Sequence, residues 1–235
     1  MDKEHFLKQL DRQLIASCQP VDNGPMDTPE TITRMALACR EGGAAAVRIQ
    51  GVINVAEVAR VLDVPVVGIV KRDLLDSDVR ITPWLEDVYA LAEAGAKIIA
   101  YDATQRKRPV ATLELVEAIH RSGCIAMADC ATLEDGILAA EMGVELIGTT
   151  LSGYTEGLIP KGPDFQLIRA LAERGYKVVA EGRFNQPELA SRAISEGACC
   201  VTVGSAITRV EHICQWFCDA IDEASLFSDS SIKEQ

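Results

Sequence analysis

The sequence predicts a (β/α)8 barrel, the TIM-barrel form of the α/β class, with one extra helix ahead of the first strand. Three observations carry this. One local pattern recurs: the end of an amphipathic helix, a glycine, then an apolar run, as in "LAEAGAKIIAYD" from Leu91 and "AISEGACCVTVG" from Ala193. The runs are almost wholly apolar, as strands of a parallel sheet buried on both faces must be. Filling the gaps gives eight such units in about 220 residues, near the small end of the barrel size range. The rival is an open doubly wound sheet. It wants a G-x-G-x-x-G after its first strand, where "SCQPVDNGPMD" stands instead. No break splits the strand series into halves.

The elements follow in order. Phe6, Leu7 and Leu10 mark a helix before the first strand. Strands are expected at about 14–19, 45–50, 65–71, 97–102, 124–129, 146–151, 177–181 and 199–204. Each preceding glycine suits the left-handed position that ends a helix. Thr28-Pro29-Glu30 and Thr82-Pro83 read as a cap followed by proline at the first helical position. "QPELASRAISEG" repeats with the helical period, and a last helix over about 209–224 carries Val210, Ile213, Phe217 and Ile221 on one face. Residues 1–225 are expected to form a single barrel domain, and 226–235 a flexible tail.

Composition narrows the partners. The 235 residues are 48% hydrophobic and carry a formal charge of −12. With no basic surplus to neutralise phosphates, neither nucleic acid nor an anionic membrane is an expected partner. An anionic small molecule remains open if Arg, Lys or backbone N–H groups are placed locally. "MDKEHFLKQLDRQ" lacks a signal-peptide core and no apolar run approaches the ~20 residues of a membrane span, so a cytoplasmic location is expected. Cys18, Cys124, Cys130, Cys199 and Cys200 lie in apolar runs and read as small buried hydrophobes. Cys214 and Cys218 share a helix face without further ligands. His5, His120 and His212 all fall in helical segments. No metal and no cofactor is expected.

In a barrel the C-terminal strand ends build the active site. Read in order they supply Gln19, Arg48, Lys71, Asp102 and Asp129, then Thr149, Thr150 and Ser152, then Glu181, Gly182 and Arg183, and last Gly204 and Ser205, with Arg209 opening the final helix. Polar strand ends are common because they meet water. A full ring of them is less easily explained that way. "AEGR" and "VGSAITR" on the last two strands put small residues where a backbone approaches a ligand closely. Barrels often bind phosphate there, through loop N–H groups. Gly182, Gly204 and Ser205 suit the backbone role; Arg209 or Arg183 suits a charge-assisted bond.

The ligand expected is therefore a phosphorylated small molecule, its reactive end near Lys71, Glu181, Asp129 and Arg48. Lys71 closes the apolar run "VVGIVK". By position alone it is a solvated strand end, an ion-pair partner, a phosphate ligand or a catalytic amine. An amine ringed by charges suits proton transfer beside a carbonyl, or a Schiff base. Orotidine-phosphate decarboxylases need an aspartate two residues before their lysine, where Ile69 stands. Ribulose-phosphate epimerases need strand-end histidines on a metal. A Schiff-base aldolase and a non-catalytic sugar-phosphate sensor remain as alternatives.

From about residue 12 to 222 the chain resembles the N-acylglucosamine-6-phosphate (N-acetylmannosamine-6-phosphate) 2-epimerases of bacterial sialic acid catabolism. The matching pieces are "LIASCQ", "GGAAAVRIQG", "VPVVGIVKRD", "AGAKIIAYDATQRKRP", "MADCATLEDG", "GTTLSGYT", "VVAEGRFNQPE" and "VGSAITR". The resemblance implies interconversion of N-acetylmannosamine 6-phosphate and N-acetylglucosamine 6-phosphate without metal or redox cofactor. It implies that Lys71 is the acid/base lysine and Glu181 the essential carboxylate. Gln19, Arg48 and Asp129, with Thr150, would bind the sugar. Gly182, Gly204, Ser205 and Arg209, with Arg183, would hold the phosphate. Tyr101 stands where a smaller apolar residue is more usual. Trp216 and Phe217 on the last helix would suit a homodimer, or else pack on the barrel wall. The long loop 72–83 would cover the ligand, or else dock on the surface.

Overall fold

The computed structural model describes residues 3–155, 157 and 159–232, with side chains to Ala224. Eight parallel strands close into a barrel in chain order. They are β1 (Gln13–Cys18), β2 (Ala46–Gln50), β3 (Val66–Ile69), β4 (Ile98–Asp102), β5 (Ile125–Asp129), β6 (Leu146–Gly148), β7 (Val178–Glu181) and β8 (Cys200–Val203). Helix α1 (Lys3–Gln9) precedes β1. Helices α2 (Pro29–Glu41), α3 (Val52–Val61), α4 (Leu85–Glu93), α5 (Thr112–Arg121), α6 (Leu133–Glu141), α7 (Phe165–Ala172) and α8 (Pro187–Ser195) cross between strands. After β8 come a single turn, α9 (Ser205–Thr208), and the long α10 (Val210–Ile232).

The period-two alternation of each strand divides the buried apolar residues into two sets. Ile15, Ala46, Val67, Ile69, Ile98, Ala100, Ile125, Met127, Leu146, Val179 and Cys200 fill the barrel interior. Their strand neighbours, such as Ala16, Val47, Ile49 and Val178, pack outward on helix residues like Val58, Leu91 and Ile119. Phe6, Leu7 and Leu10 join the interior set. Helix α1 thus stops the N-terminal end of the barrel, and Lys3 ties it to Glu145 at 2.5 Å. Continuing the inward parity toward the other end, the side chains turn polar: Ser17, Arg48, Asp102, Asp129, Thr150, Glu181 and Thr202. One end of the barrel is plugged with hydrocarbon, and the other is lined with chemistry.

The helix-ending glycines are left-handed as expected, Gly95 and Gly197 both at φ +101°. Thr28 caps α2, its hydroxyl accepting from the Thr31 N–H, with Pro29 next. The parallel reading of Thr82-Pro83 is corrected. Helix α4 begins at Leu85 after Trp84. Thr82 sits at φ +47°, fully buried; its hydroxyl donates to the Ala100 carbonyl and accepts from the Val70 N–H. It is a joint between loop and barrel, and the cap-like dipeptide hides that use.

Strand β3 ends at Ile69, two residues before Lys71. The chain then folds back: Lys71 bridges Ile81 in antiparallel fashion, and the Arg72 N–H donates to the Arg80 carbonyl. Arg72 also clasps the buried Asp87 of α4. The loop 72–83 is therefore a docked hairpin whose return limb faces the cavity. At the other terminus, α10 runs to Ile232, beyond the expected end near 224; the part of the expected tail from 226 to 232 is helical, and 233–235 lie outside the described residues. Phe217 is 68% exposed, while Trp216, 40% exposed, turns toward the C-terminal opening of the barrel. Cys199 is half-buried, while the other four strand cysteines are buried.

Candidate active site

The polar ends of the strands surround a cavity of about 710 Å³, within the range of small-molecule sites. Gln19, Arg48, Lys71, Thr150, Glu181, Gly182, Arg183, Gly204, Ser205 and Arg209 all line it. Asp129 does not. It is fully buried and paired with Arg48, which does line the cavity.

Arg48 and Asp129 form the floor. Arg48 as a whole is 1% exposed. It meets Asp129 through two parallel bonds, Nη2 to Oδ2 at 2.7 Å and Nη1 to Oδ1 at 3.0 Å. Nη1 also reaches Glu181 Oε2 at 3.2 Å. The planar fork of arginine suits this bidentate pairing, and lysine in its place would not. Thr150 donates its hydroxyl to Asp129 Oδ1 at 2.5 Å. Arg48 Nε and Thr202 Oγ1 are buried with no protein partner among the described residues. Both belong to residues that line the cavity.

The two expected catalytic groups have perturbed protonation. Burial, then the positive charges of Arg48 and Arg209, lower the Lys71 amine to about 8, with Asp22 pulling the other way. Among the described residues its Nζ has no hydrogen bond and no ion pair within 4.0 Å, which argues against a purely structural salt bridge. Burial raises the carboxyl of Glu181 above its usual range, against the pull of Arg48. Lys71 follows β3 and Glu181 ends β7, four positions apart in a ring of eight strands, so they face each other across the mouth.

The opposite rim is built from the last two strand ends. Gly182 takes φ +107°, a left-handed backbone that a side chain would strain. Gly204 caps the short α9, and Ser205 begins it. Arg209 is anchored by Nε to the Gln19 carbonyl at 2.9 Å. Arg183 lines the same rim, and its Nε and Nη1 donate to the carbonyls of Gly162 and Ser152, both at 2.6 Å.

Sequence reasoning missed several wall residues. Ser17 and Thr202 lie two residues before Gln19 and Gly204, on the same inward parity, so the period-two rule could have found them. Asp78 and Arg80 come from the returning hairpin and Lys161 and Tyr154 from the β6–α7 loop, where no periodicity signals orientation. Asp102 was read as a strand end; it lines the cavity, held by Thr104 and Arg106. Seven cations line the cavity (Arg48, Lys71, Arg80, Arg106, Lys161, Arg183, Arg209) against the carboxylates Asp78, Asp102 and Glu181. A chain of net charge −12 thus concentrates positive potential at one opening.

Comparison with known proteins agrees with this geometry. The model of a family described as putative N-acetylmannosamine-6-phosphate epimerase matches residues 32–223. A putative N-acetylmannosamine-6-phosphate 2-epimerase from Photobacterium profundum is 56% identical over 222 residues, covering 94% of each chain. One from Yersinia pseudotuberculosis is 55% identical over 215 residues, 92% of each. The solved N-acetylmannosamine-6-phosphate 2-epimerase from Clostridium perfringens superposes with a TM-score of 0.90 at 40% identity, over 94% of this chain and 98% of that one. With the family model spanning most of the chain and these relatives matching nearly end to end, this protein belongs to the N-acetylmannosamine-6-phosphate epimerase family.

Proposed function

We propose that the protein interconverts N-acetylmannosamine 6-phosphate and N-acetylglucosamine 6-phosphate, as an isomerase of amino-sugar breakdown. The observation that carries it is Lys71 facing Glu181 across a cationic cavity whose far rim is glycine-lined. In the open-chain sugar, C2 lies beside the C1 aldehyde, so its hydrogen is acidic once negative charge on oxygen is stabilised. Lys71, with its amine poised near 8, takes the C2 proton as a neutral base. Arg48, locked by Asp129, lines the cavity and stabilises the developing charge. Glu181, its carboxyl raised by burial, returns a proton to the other face. Lysine and glutamate on opposite walls favour this two-group route over one base and a substrate flip.

Gln19 and Thr150 bind the sugar hydroxyls, and Gly182, Gly204, Ser205 and Arg209 hold the phosphate. Binding energy from that remote phosphate fixes C2 between the two acid/base groups. Epimerisation in D2O tests the reaction. Product isolated at low conversion should carry deuterium at C2 by NMR, while product retaining the original hydrogen would overturn proton transfer through exchangeable groups. In the Schiff-base aldolase reading, borohydride with substrate would add covalent mass to Lys71; here no adduct is expected.

Two further parts of the reading concern context. We place the enzyme in the cytoplasm, where its free cysteines stay reduced, and cell fractionation checks this. Among the described residues no helix is long and apolar enough to cross a membrane. The exposed Val210, Phe217 and Ile221 on one face of α10 support a homodimer. Light scattering should give twice the 25.4 kDa chain mass, and Phe217→Glu should shift it toward monomer. A monomeric parent protein would remove that part.

A further inference from the structure

The geometry points to Arg183 as a positioning residue that laces the β6–α7 loop onto the cavity, rather than as a phosphate ligand. Immediately after β7, two consecutive residues take left-handed backbone, Gly182 at φ +107° and Arg183 at φ +62°. For a non-glycine residue this is strained, and such strain persists where surrounding contacts demand it. Its effect is to turn the Arg183 side chain back toward the end of β6.

There the guanidinium joins two separate limbs of the β6–α7 loop. Nη1 donates to the Ser152 carbonyl and Nε to the Gly162 carbonyl, each at 2.6 Å. The Tyr154 ring lies under the guanidinium carbon at 5.1 Å, a cation–π contact. The limbs also touch directly. A Cβ built on Gly153 would come within 2.5 Å of Pro160 Cδ and 3.4 Å of Arg183 Nη1, so Gly153 is small because the limbs close here. Ser152, 5% exposed, donates its hydroxyl to Asp164, which caps α7.

The laced loop carries Tyr154 and Lys161 into the cavity wall. Lys71, Arg48, Asp129 and Glu181 stand on or beside the barrel strands; the loop residues that bond Asp129 and Glu181, Thr150 and Thr149, precede the laced limbs. Losing Arg183 should therefore weaken substrate binding while leaving the chemical step nearly intact.

Arg183→Asn is the informative variant, because asparagine tolerates left-handed backbone and removes the guanidinium without adding strain. The full-length protein is treated with trypsin without ligand, and cleavage of the Lys161–Gly162 bond is followed by mass spectrometry. Cleavage there reports opening of the loop, and about a tenfold faster rate is expected in Arg183→Asn. With N-acetylmannosamine 6-phosphate, KM should rise about tenfold and kcat stay within about threefold, the pattern of lost uniform binding. Arg183→Lys should fall between, since an ammonium lacks the fork that spans two carbonyls. Unchanged cleavage with a raised KM would mean that Arg183 touches the phosphate directly, and no change in either would leave it without a role. Only the KM arm rests on the epimerase reading; the cleavage arm decides the lacing even if the protein turns over another substrate.

Discussion

Lys71→Met should lower kcat by about 10³–10⁴-fold, the range of a positioned acid/base group, with KM changed little. Methionine matches the length and apolar character of the lysine stem, so the variant removes the amine and little else. The same change should raise the melting temperature. A lysine whose folded-state pKa is depressed binds its proton less well in the native than in the unfolded chain. The sign follows: below the folded value of about 8 the native state bears the full penalty of a buried, repelled ammonium. As pH rises from 8 toward the unfolded value the penalty fades, because both states lose the charge. Replacing the amine removes it at every pH, and catalytic sites commonly trade stability for function in this way.

The pH profile provides an independent check. With a neutral Lys71 as base and a protonated Glu181 as acid, kcat/KM should be bell-shaped in pH, its alkaline limb falling above about 8. The carboxyl of Glu181, raised above its usual range, should set a second ionisation on the acid side. The pair titrates as a coupled unit across the cavity, so the two apparent values belong to the site. Arg209→Met removes a positive charge that lowers Lys71, and the upper limb should move to higher pH. An upper limb that ignores Arg209 would detach it from Lys71. A Lys71→Met protein retaining a tenth or more of the parent kcat would end the acid/base assignment, by the same scale.

Much of this arrangement was legible from residues alone. The barrel could be read because buried parallel strands are apolar on both faces and helix-ending glycines punctuate them. Strand ends could be read because a barrel turns its chemistry to one end. Boundaries were less legible: Lys71 was placed inside β3 and lies beyond it, on a hairpin held by Ile81 and Arg80. Its apolar approach, "VVGIV", gives no local signal where the ladder stops. Thr82 misled because a threonine before proline resembles a cap, and only the fold shows its hydroxyl bridging two backbones. Strand position does not encode depth: Asp129 ends its strand as Asp102 does, yet it is held in a buried pair with Arg48 while Asp102 lines the cavity. Arg183 was legible as a cation at the right strand end. Its two carbonyl partners lie 21 and 31 residues upstream, beyond any local pattern.

Asp129→Ala should be the most destabilising of the site substitutions. It removes both bidentate bonds to an arginine that is 1% exposed and the acceptor for Thr150. Arg48 is then left, among the described residues, with Glu181 at 3.2 Å as its charged partner. Breaking a buried pair by deleting one member costs about 3–5 kcal/mol, since the other charge stays desolvated and underpaired. At about 2–4 °C per kcal/mol for a domain of this size, the melting temperature should fall by roughly 10 °C. Activity should fall too, about 100-fold, as Arg48 swings toward Glu181 and neither sits where charge develops. The double variant Arg48→Met/Asp129→Leu separates the two effects. Apolar residues of similar volume refill the floor, so stability should return toward the parent value, as replaced buried pairs often allow. Activity should not return. If Arg48 and Asp129 were retained for packing, the double variant would recover both; if they are retained for chemistry, urea denaturation and turnover will part company. A single Asp129→Ala variant within about 1 kcal/mol of the parent would show that Arg48 finds other partners, and that its position is not fixed by this pair.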